Sequence, residues 1–432
     1  MELFYHYFFC FGLWLIVPFL FELLPAILCY LFLNKNKKPK IDIPPKMFPE
    51  ITILIPVYNC QETLERCIAS INDCSYENYL ISILLLDTGC TDDTFDVFQL
   101  CQLKYDINMR WISSNLGKAK ALNKGLFNSE GKYIVNVDTI GYFHVDSLCN
   151  IVTRFENDRS IDCLTGVVLT DKKQIKKKSS IVLRFIRRFE FLDFCKTFFT
   201  GKNYKSNIKN QMTVSAPYTV FKKSSILSTF LYDTNTLVED SHITAQLSAK
   251  NFKVSLCENA IFYIPPTHSI RQCVYNKRQW NMDQLKIFSF QLIKKSILSS
   301  LVMYLGYMIK AIWFVSMTIY TYSIFGFYQL GISFACIYGI YLISTLFYSF
   351  NILSYLSLFC DDKKYYLHSF IFLLLHPIYK VLTYPYQFIL TKKTSHLRYK
   401  NNSSYTIKDE ISMFFCYVWK DITFSWLKKE EK

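Results

Sequence analysis

ITILIPVYN at residues 51–59 opens the stretch that decides the fold, and GKYIVNVDTIG at 131–141 closes it. Ile51 to Val57 is a short, unbroken apolar run, as a strand buried on both faces of a parallel sheet requires. Asn59 followed by Glu62 reads as a capping box, and Leu64, Cys67, Ile68 and Ile71 keep helical spacing behind it. Ile81 to Leu86 is a second buried strand, stopping at Asp87. Thr91, Asp92 and Asp93 then suit a helix start, where carboxylates favour the dipole. Tyr133 to Val137 is the third strand, and it delivers Asp138. This alternation predicts an α/β fold, whose parallel strands present ligand-binding groups at their carboxyl ends. No G-x-G-x-x-G or G-x-x-x-x-G-K-[ST] follows the first strand, which disfavours a dinucleotide or ATP site.

Outward from this core, the chain of 432 residues is 51% apolar and 17% aromatic, high for a soluble protein. Leu3 to Leu33 is nearly unbroken apolar sequence, and a second apolar region runs from Ile297 to Leu390. Stretches of about 20 apolar residues read as membrane spans. The first has no basic start and a long apolar core, so an uncleaved anchor is expected rather than a signal peptide. The second region divides into spans near 304–326, 331–359 and 366–390, the last interrupted by Pro377 and Pro385.

The formal charge of +15 would suit nucleic acid, but the basic residues crowd beside the apolar segments. Lys35, Lys37, Lys38 and Lys40 follow the first, and Lys392, Lys393, Arg398 and Lys400 follow the last. That is the positive-inside pattern, placing the intervening domain in the cytoplasm of a multi-pass cell-membrane protein. The charge thus reads as topology and attraction to membrane lipid, and no nucleic-acid partner is expected. Fifteen cysteines occur with no CxxC pair, the pattern of apolar thiols in a reducing compartment.

The expected organisation is a transmembrane segment (1–34), a Lys/Pro linker (35–47), a soluble domain (48–295), a membrane region (296–390) and a basic tail (391–432). Within the soluble domain, Val182, Phe185, Ile186, Phe189 and Leu192 form an apolar stripe beside Arg184, Arg187 and Arg188. Such a helix suits either a membrane interface or the face of the domain.

Several segments, in order, carry a family resemblance. They are ITILIPVYN with ETLERCIASI, LLLDTGCTDDT at 84–94, NLGKAKALNKGL at 115–126, GKYIVNVDTIGYFHVDSL from 131, VEDSHITAQLSAKNFKV at 238–254 and NKRQW at 276–280. Together, between membrane segments, they resemble a family 2 glycosyltransferase. The match is similar to membrane-bound poly-N-acetylglucosamine synthases and to Gram-positive exosortase-associated glycosyltransferases, and covers 51–290. It implies a GT-A (nucleotide-diphospho-sugar transferase) domain flanked by N-terminal and C-terminal transmembrane helices.

The resemblance also implies roles. Pro56, Tyr58, Asp87 and Lys118 would contact the nucleotide, and Asp138 would hold Mg²⁺ or Mn²⁺ on the diphosphate. Asp240 would be the catalytic base, with Glu239 and Trp280 lining the acceptor end. Three positions depart from the family pattern. Thr88 replaces the second nucleotide-site aspartate, Ile140 replaces the second metal carboxylate, and Asn276 with Gln279 alters the Gln-x-x-Arg-Trp signature. Isoleucine cannot ligate Mg²⁺, although one or two carboxylates with substrate phosphates can suffice. Two readings follow. One is an inverting transferase moving sugar from a nucleotide sugar, a UDP-sugar by resemblance, to a polysaccharide or lipid-linked acceptor, with possible partner membrane subunits. The other is a non-catalytic membrane subunit that binds a partner, nucleotide or glycan.

Overall fold

The computed structural model describes residues 12, 14–35, 42–114, 117–171, 174, 180–202, 217–232, 234, 239–269, 272–273, 276, 297–359 and 374–375. Eight strands form one mixed sheet: β1 (Ile51–Val57), β2 (Ile81–Asp87), β3 (Asn108–Ser113), β4 (Tyr133–Val137), β5 (Tyr142–Phe143), β6 (Ile161–Thr170), β7 (Tyr218–Lys222) and β8 (Lys253–Ile264). Their order is β3-β2-β1-β4-β7-β6-β8-β5. The first four lie parallel, with Val57 beside Asp87 and Asp87 beside Ser113. β7 runs antiparallel to both β4 and β6.

The helices are α1 (Leu24–Lys35), α2 (Leu64–Asn72), α3 (Thr94–Lys104), α4 (Lys118–Phe127), α5 (Ser147–Asn157), α6 (Ile181–Cys195), α7 (Lys223–Leu227), α8 (Glu239–Ala249) and α9 (Ile297–Leu356). Successive side chains on a strand point to opposite faces, so one strand feeds two cores. Ile51, Ile53, Ile55 and Val57 pack against Leu64, Cys67, Ile68 and Ile71 of α2 and Ile151, Val152 and Phe155 of α5. Leu54, Leu84 and Leu86 point the other way, onto Ala119, Ala121, Leu122 and Leu126 of α4 and Ile243 and Leu247 of α8. Both faces are covered, and that is why β1 and β2 read as continuous apolar runs.

A third cluster joins Val167, Val168 and Leu169 of β6 to Phe191, Phe194 and Cys195 of α6. Cys29 and Leu33 of α1, and Ile352, Tyr355 and Leu356 of α9, complete it. α6 therefore packs on the domain. Of the two placements its stripe allowed, the structure shows the second, and Arg187 is buried there. Arg187 Nε donates to the Thr267 carbonyl (2.8 Å), and Glu190 accepts from the Thr267 hydroxyl (3.1 Å). Polar partners on the segment after β8 make that burial tolerable.

Among the described residues, two apolar helices are long enough to cross a membrane: Trp14–Asn34 and Ile312–Leu356. α9 is interrupted at Gly326, whose φ of 75° and ψ of −172° leave the helical region. Asn36 to Ile41 lie outside the described residues, but the end of the linker is fastened to the domain. Arg154 of α5 bonds Asp42, and Asn157 Nδ2 donates to the Ile43 carbonyl (2.7 Å). Compact clustering divides the chain into two units, one comprising 18–268 with 339–373, the other 1–17, 269–338 and 374–432. Trp14 lies in the second, where its indole N–H donates to the Thr321 hydroxyl (2.7 Å).

Candidate functional site

β1, β2 and β4 end side by side, and the turns beyond them are tied together. Asn59 sits at φ 44°, a left-handed conformation that asparagine tolerates. Its side-chain oxygen accepts from the Thr91 amide (2.8 Å), so it braces the turn after β2. The expected capping box is therefore not formed: α2 begins at Leu64 behind Thr63, with no side-chain cap. The Cys60 amide donates to the Thr94 hydroxyl (2.9 Å) and the Asp93 amide to the Gln61 side chain (3.1 Å). Burial pushes the Cys60 thiol up, against hydrogen bonds from Thr139 and Thr94, so it is not an activated nucleophile. The Thr139 contact brings the turn after β4 against the turn after β1.

Asp87 ends β2, and one of its carboxylate oxygens accepts from the Gly89 and Cys90 amides (2.9 Å each). It is held rigidly, with carboxylate lone pairs remaining for a ligand. Thr88 is buried, and its hydroxyl and amide both donate to the Val57 carbonyl (3.0 and 3.1 Å). The threonine expected to stand in place of an acidic residue is thus accommodated locally: its side chain faces a carbonyl oxygen. Pro56 lies in β1 opposite Leu86, and Tyr58, just beyond that strand, is exposed.

Asp138 follows β4 with its amide donating to the Pro217 carbonyl (3.3 Å). Its carboxylate lies 2.8 Å from Lys118 Nζ. Lys118 is the first residue of α4, entered through Gly117 at φ 120°, where a side chain would be strained. Two residues on, Ile140 is 48% exposed and offers no donor. Gly141 follows because a Cβ there would come within 2.5 Å of the Tyr263 carbonyl oxygen.

Sequence reading passed over a second set of residues that connects α4 with α8. Asn123 of α4 clamps Tyr232 twice: its Nδ2 donates to the Tyr232 carbonyl (2.8 Å), and its Oδ1 accepts from the Tyr232 amide (2.9 Å). Asn136 of β4 donates to the Tyr232 hydroxyl. Gln246 of α8 holds the same loop, donating to the Leu231 carbonyl (2.9 Å) and accepting from the Phe230 amide (2.6 Å). An asparagine two positions before Asp138 was the available signal. Asp240 lies in the first turn of α8 and is half-buried. Its carbonyl accepts from the Thr244 hydroxyl (2.6 Å). Glu239 opens the same helix, and Trp280 falls outside the described residues. The structure thus joins Lys118 to Asp138 directly, and ties α8, which carries Asp240, to the Phe230–Tyr232 segment that α4 clamps.

A divalent ion at Asp138 meets a sparse donor set. One carboxylate is already engaged by an ammonium, the neighbouring acidic position is isoleucine, and among the described residues no three His, Cys, Asp or Glu side chains gather. Mg²⁺ and Mn²⁺ take oxygen-rich shells. Asp138 offers one carboxylate, so the protein alone does not hold a resident divalent ion, and any ion here would draw its remaining ligands from a substrate diphosphate.

Four parallel strands, a switch to antiparallel neighbours and acidic residues at the strand ends define a GT-A domain. Residues 52–222 match the family model of glycosyl transferase family 2, and the chain carries a family 2 glycosyltransferase domain. It is 24% identical over 219 residues to poly-beta-1,6-N-acetyl-D-glucosamine synthase of Staphylococcus aureus (strain COL), covering 51% of this chain and 50% of that protein. The Staphylococcus epidermidis protein of the same name is 22% identical over 214 residues, covering 50% of this chain and 49% of that one. The chain spans about half the length of these curated relatives. Among solved structures, a mannosyltransferase from Pyrobaculum calidifontis, in complex with GDP-Man and Mn²⁺, superposes with a TM-score of 0.52 at 15% identity. That likeness covers 85% of this chain and 98% of the other, and supports the fold.

Proposed function

We propose that this chain is a membrane-embedded inverting glycosyltransferase that moves a sugar from a nucleotide sugar to a polysaccharide or lipid-linked acceptor. The observation that carries the reading is the meeting of Asp138 and Lys118 at the carboxyl end of the parallel strands, the same edge of the sheet at which β2 delivers Asp87. The synthase relatives favour a UDP-sugar donor and a polysaccharide product. The apolar helices, with the lysines that follow the first, favour a multi-pass protein of the cell membrane with a cytoplasmic domain.

In this reading, Asp87 and the turn at Pro56 and Tyr58 hold the nucleoside. Asp240 accepts the proton of the acceptor hydroxyl as its oxygen bonds to the anomeric carbon. The bond from that carbon to the diphosphate breaks on the opposite face, and a nucleoside diphosphate leaves with the electron pair. Lys118 lies where the departing charge accumulates. Glu239 and Trp280 belong to the acceptor end.

The test is sugar transfer from a panel of UDP-sugars by the full chain in lipid nanodiscs, comparing wild type with Asp240→Asn. The variant is expected to lose about 10²- to 10⁴-fold in rate while still binding nucleotide. A wild type that transfers nothing, with Asp240→Asn indistinguishable from it in cells, would support the second reading, a non-catalytic membrane subunit. Thr88 and Ile140 are the residues that favour that alternative.

A further inference from the structure

Charge is the one requirement at this site that the expected machinery leaves unmet. A nucleoside diphosphate carries two or more negative charges, and a departing one must be compensated. The second carboxylate that would recruit a divalent ion is Ile140, and the first already faces an ammonium at 2.8 Å. Lys118 is only a third exposed and Asp138 a quarter exposed, so the pair lies in a partly desolvated place where charge acts more strongly than in bulk water. The helix that carries the lysine is tied to the sheet, because Lys124 of α4 donates to the Ser113 carbonyl at the end of β3 (2.6 Å). Asn123 anchors the same helix to the loop before α8.

Resting on the nucleotide-sugar reading, we propose that Lys118 takes the place of the divalent ion at this site. Asp138 then serves as a positioning residue for the ammonium rather than a metal ligand, and the chain binds a nucleoside diphosphate without added metal. An ammonium donates up to three hydrogen bonds, so Lys118 can keep Asp138 and engage a phosphate oxygen together. Isoleucine at 140 suits this arrangement, since a second carboxylate would compete with the phosphate for the cation.

The experiment is calorimetric titration of the full chain in nanodiscs with UDP and with GDP, in EDTA and then in Mn²⁺. One of the two nucleotides is expected to bind in EDTA, with an affinity that Mn²⁺ changes by no more than about twofold. Lys118→Met should weaken that binding roughly 10- to 100-fold, as loss of a charge-assisted hydrogen bond implies, and Lys118→Arg should retain most of it. Binding by the wild type only in Mn²⁺ would overturn this inference and leave the transferase reading standing. EDTA-resistant binding that Lys118→Met leaves unchanged would also overturn it. If neither nucleotide binds in either medium, the nucleotide-sugar reading falls and takes the inference with it.

Discussion

Thr88 and Ile140 stand at equivalent places in the sequence argument, each replacing a carboxylate, yet their surroundings are opposite. Thr88 is buried and donates to Val57, whereas Ile140 is half exposed beside Asp138. Restoring an acid at the two positions therefore has different outcomes. Thr88→Asp would place a carboxylate against a carbonyl oxygen and is expected to cost roughly 3–5 kcal/mol, read as a fall in melting temperature. Unchanged stability would show that the turn can rearrange to expose the new side chain. Ile140→Asp meets solvent and should fold normally. It is expected to give the chain a Mn²⁺-dependent gain in nucleotide affinity that the wild type lacks, measured by titration with and without the ion. The sequence distinguished neither case, because a missing charge looks the same whether the position faces solvent or a backbone carbonyl.

At the scale of elements, strands β1, β2 and β4 were legible because burial on both faces leaves a continuous apolar signature. β7 was not, since a short strand running antiparallel between two others carries no marker of direction. Asn59 was misread as a helix cap because its spacing to Glu62 satisfies the pattern, whereas a cross-turn partner, Thr91, competes for its side chain. The clamp formed by Asn123 and Tyr232 was invisible for a related reason: its members lie 109 residues apart. Asn123→Ala removes both side-chain bonds, which at about 1 kcal/mol each should lower stability by roughly 2 kcal/mol. If the clamp positions α8, the same variant is expected to reduce the transfer rate more than nucleotide affinity. Equal losses in both would assign Asn123 to the nucleotide side of the site alone.

For the whole molecule, the sequence divided a soluble domain from membrane segments, and the cluster around β6 blurs that division. Val167, Val168 and Leu169 share a core with Cys29, Leu33, Ile352, Tyr355 and Leu356. A fragment comprising residues 42–269 would expose that apolar face, and exposed patches of this kind drive association. Expressed alone, it is expected to elute as aggregate from size-exclusion chromatography, and to become monodisperse only when detergent covers the face. A fragment monomeric in buffer would show that the cluster is dispensable.

That shared core also gives the sheet an unusual sensitivity. Helices that span a bilayer adjust their tilt to its thickness, at a fraction of a kcal/mol per Å of mismatch. Because α1 and the end of α9 contribute side chains to the same packed cluster as β6, such an adjustment in a bilayer would reach β6, two strands from β4 in the sheet. On the membrane-embedded reading proposed above, the acyl-chain length of the surrounding lipid would become a variable of that shared core.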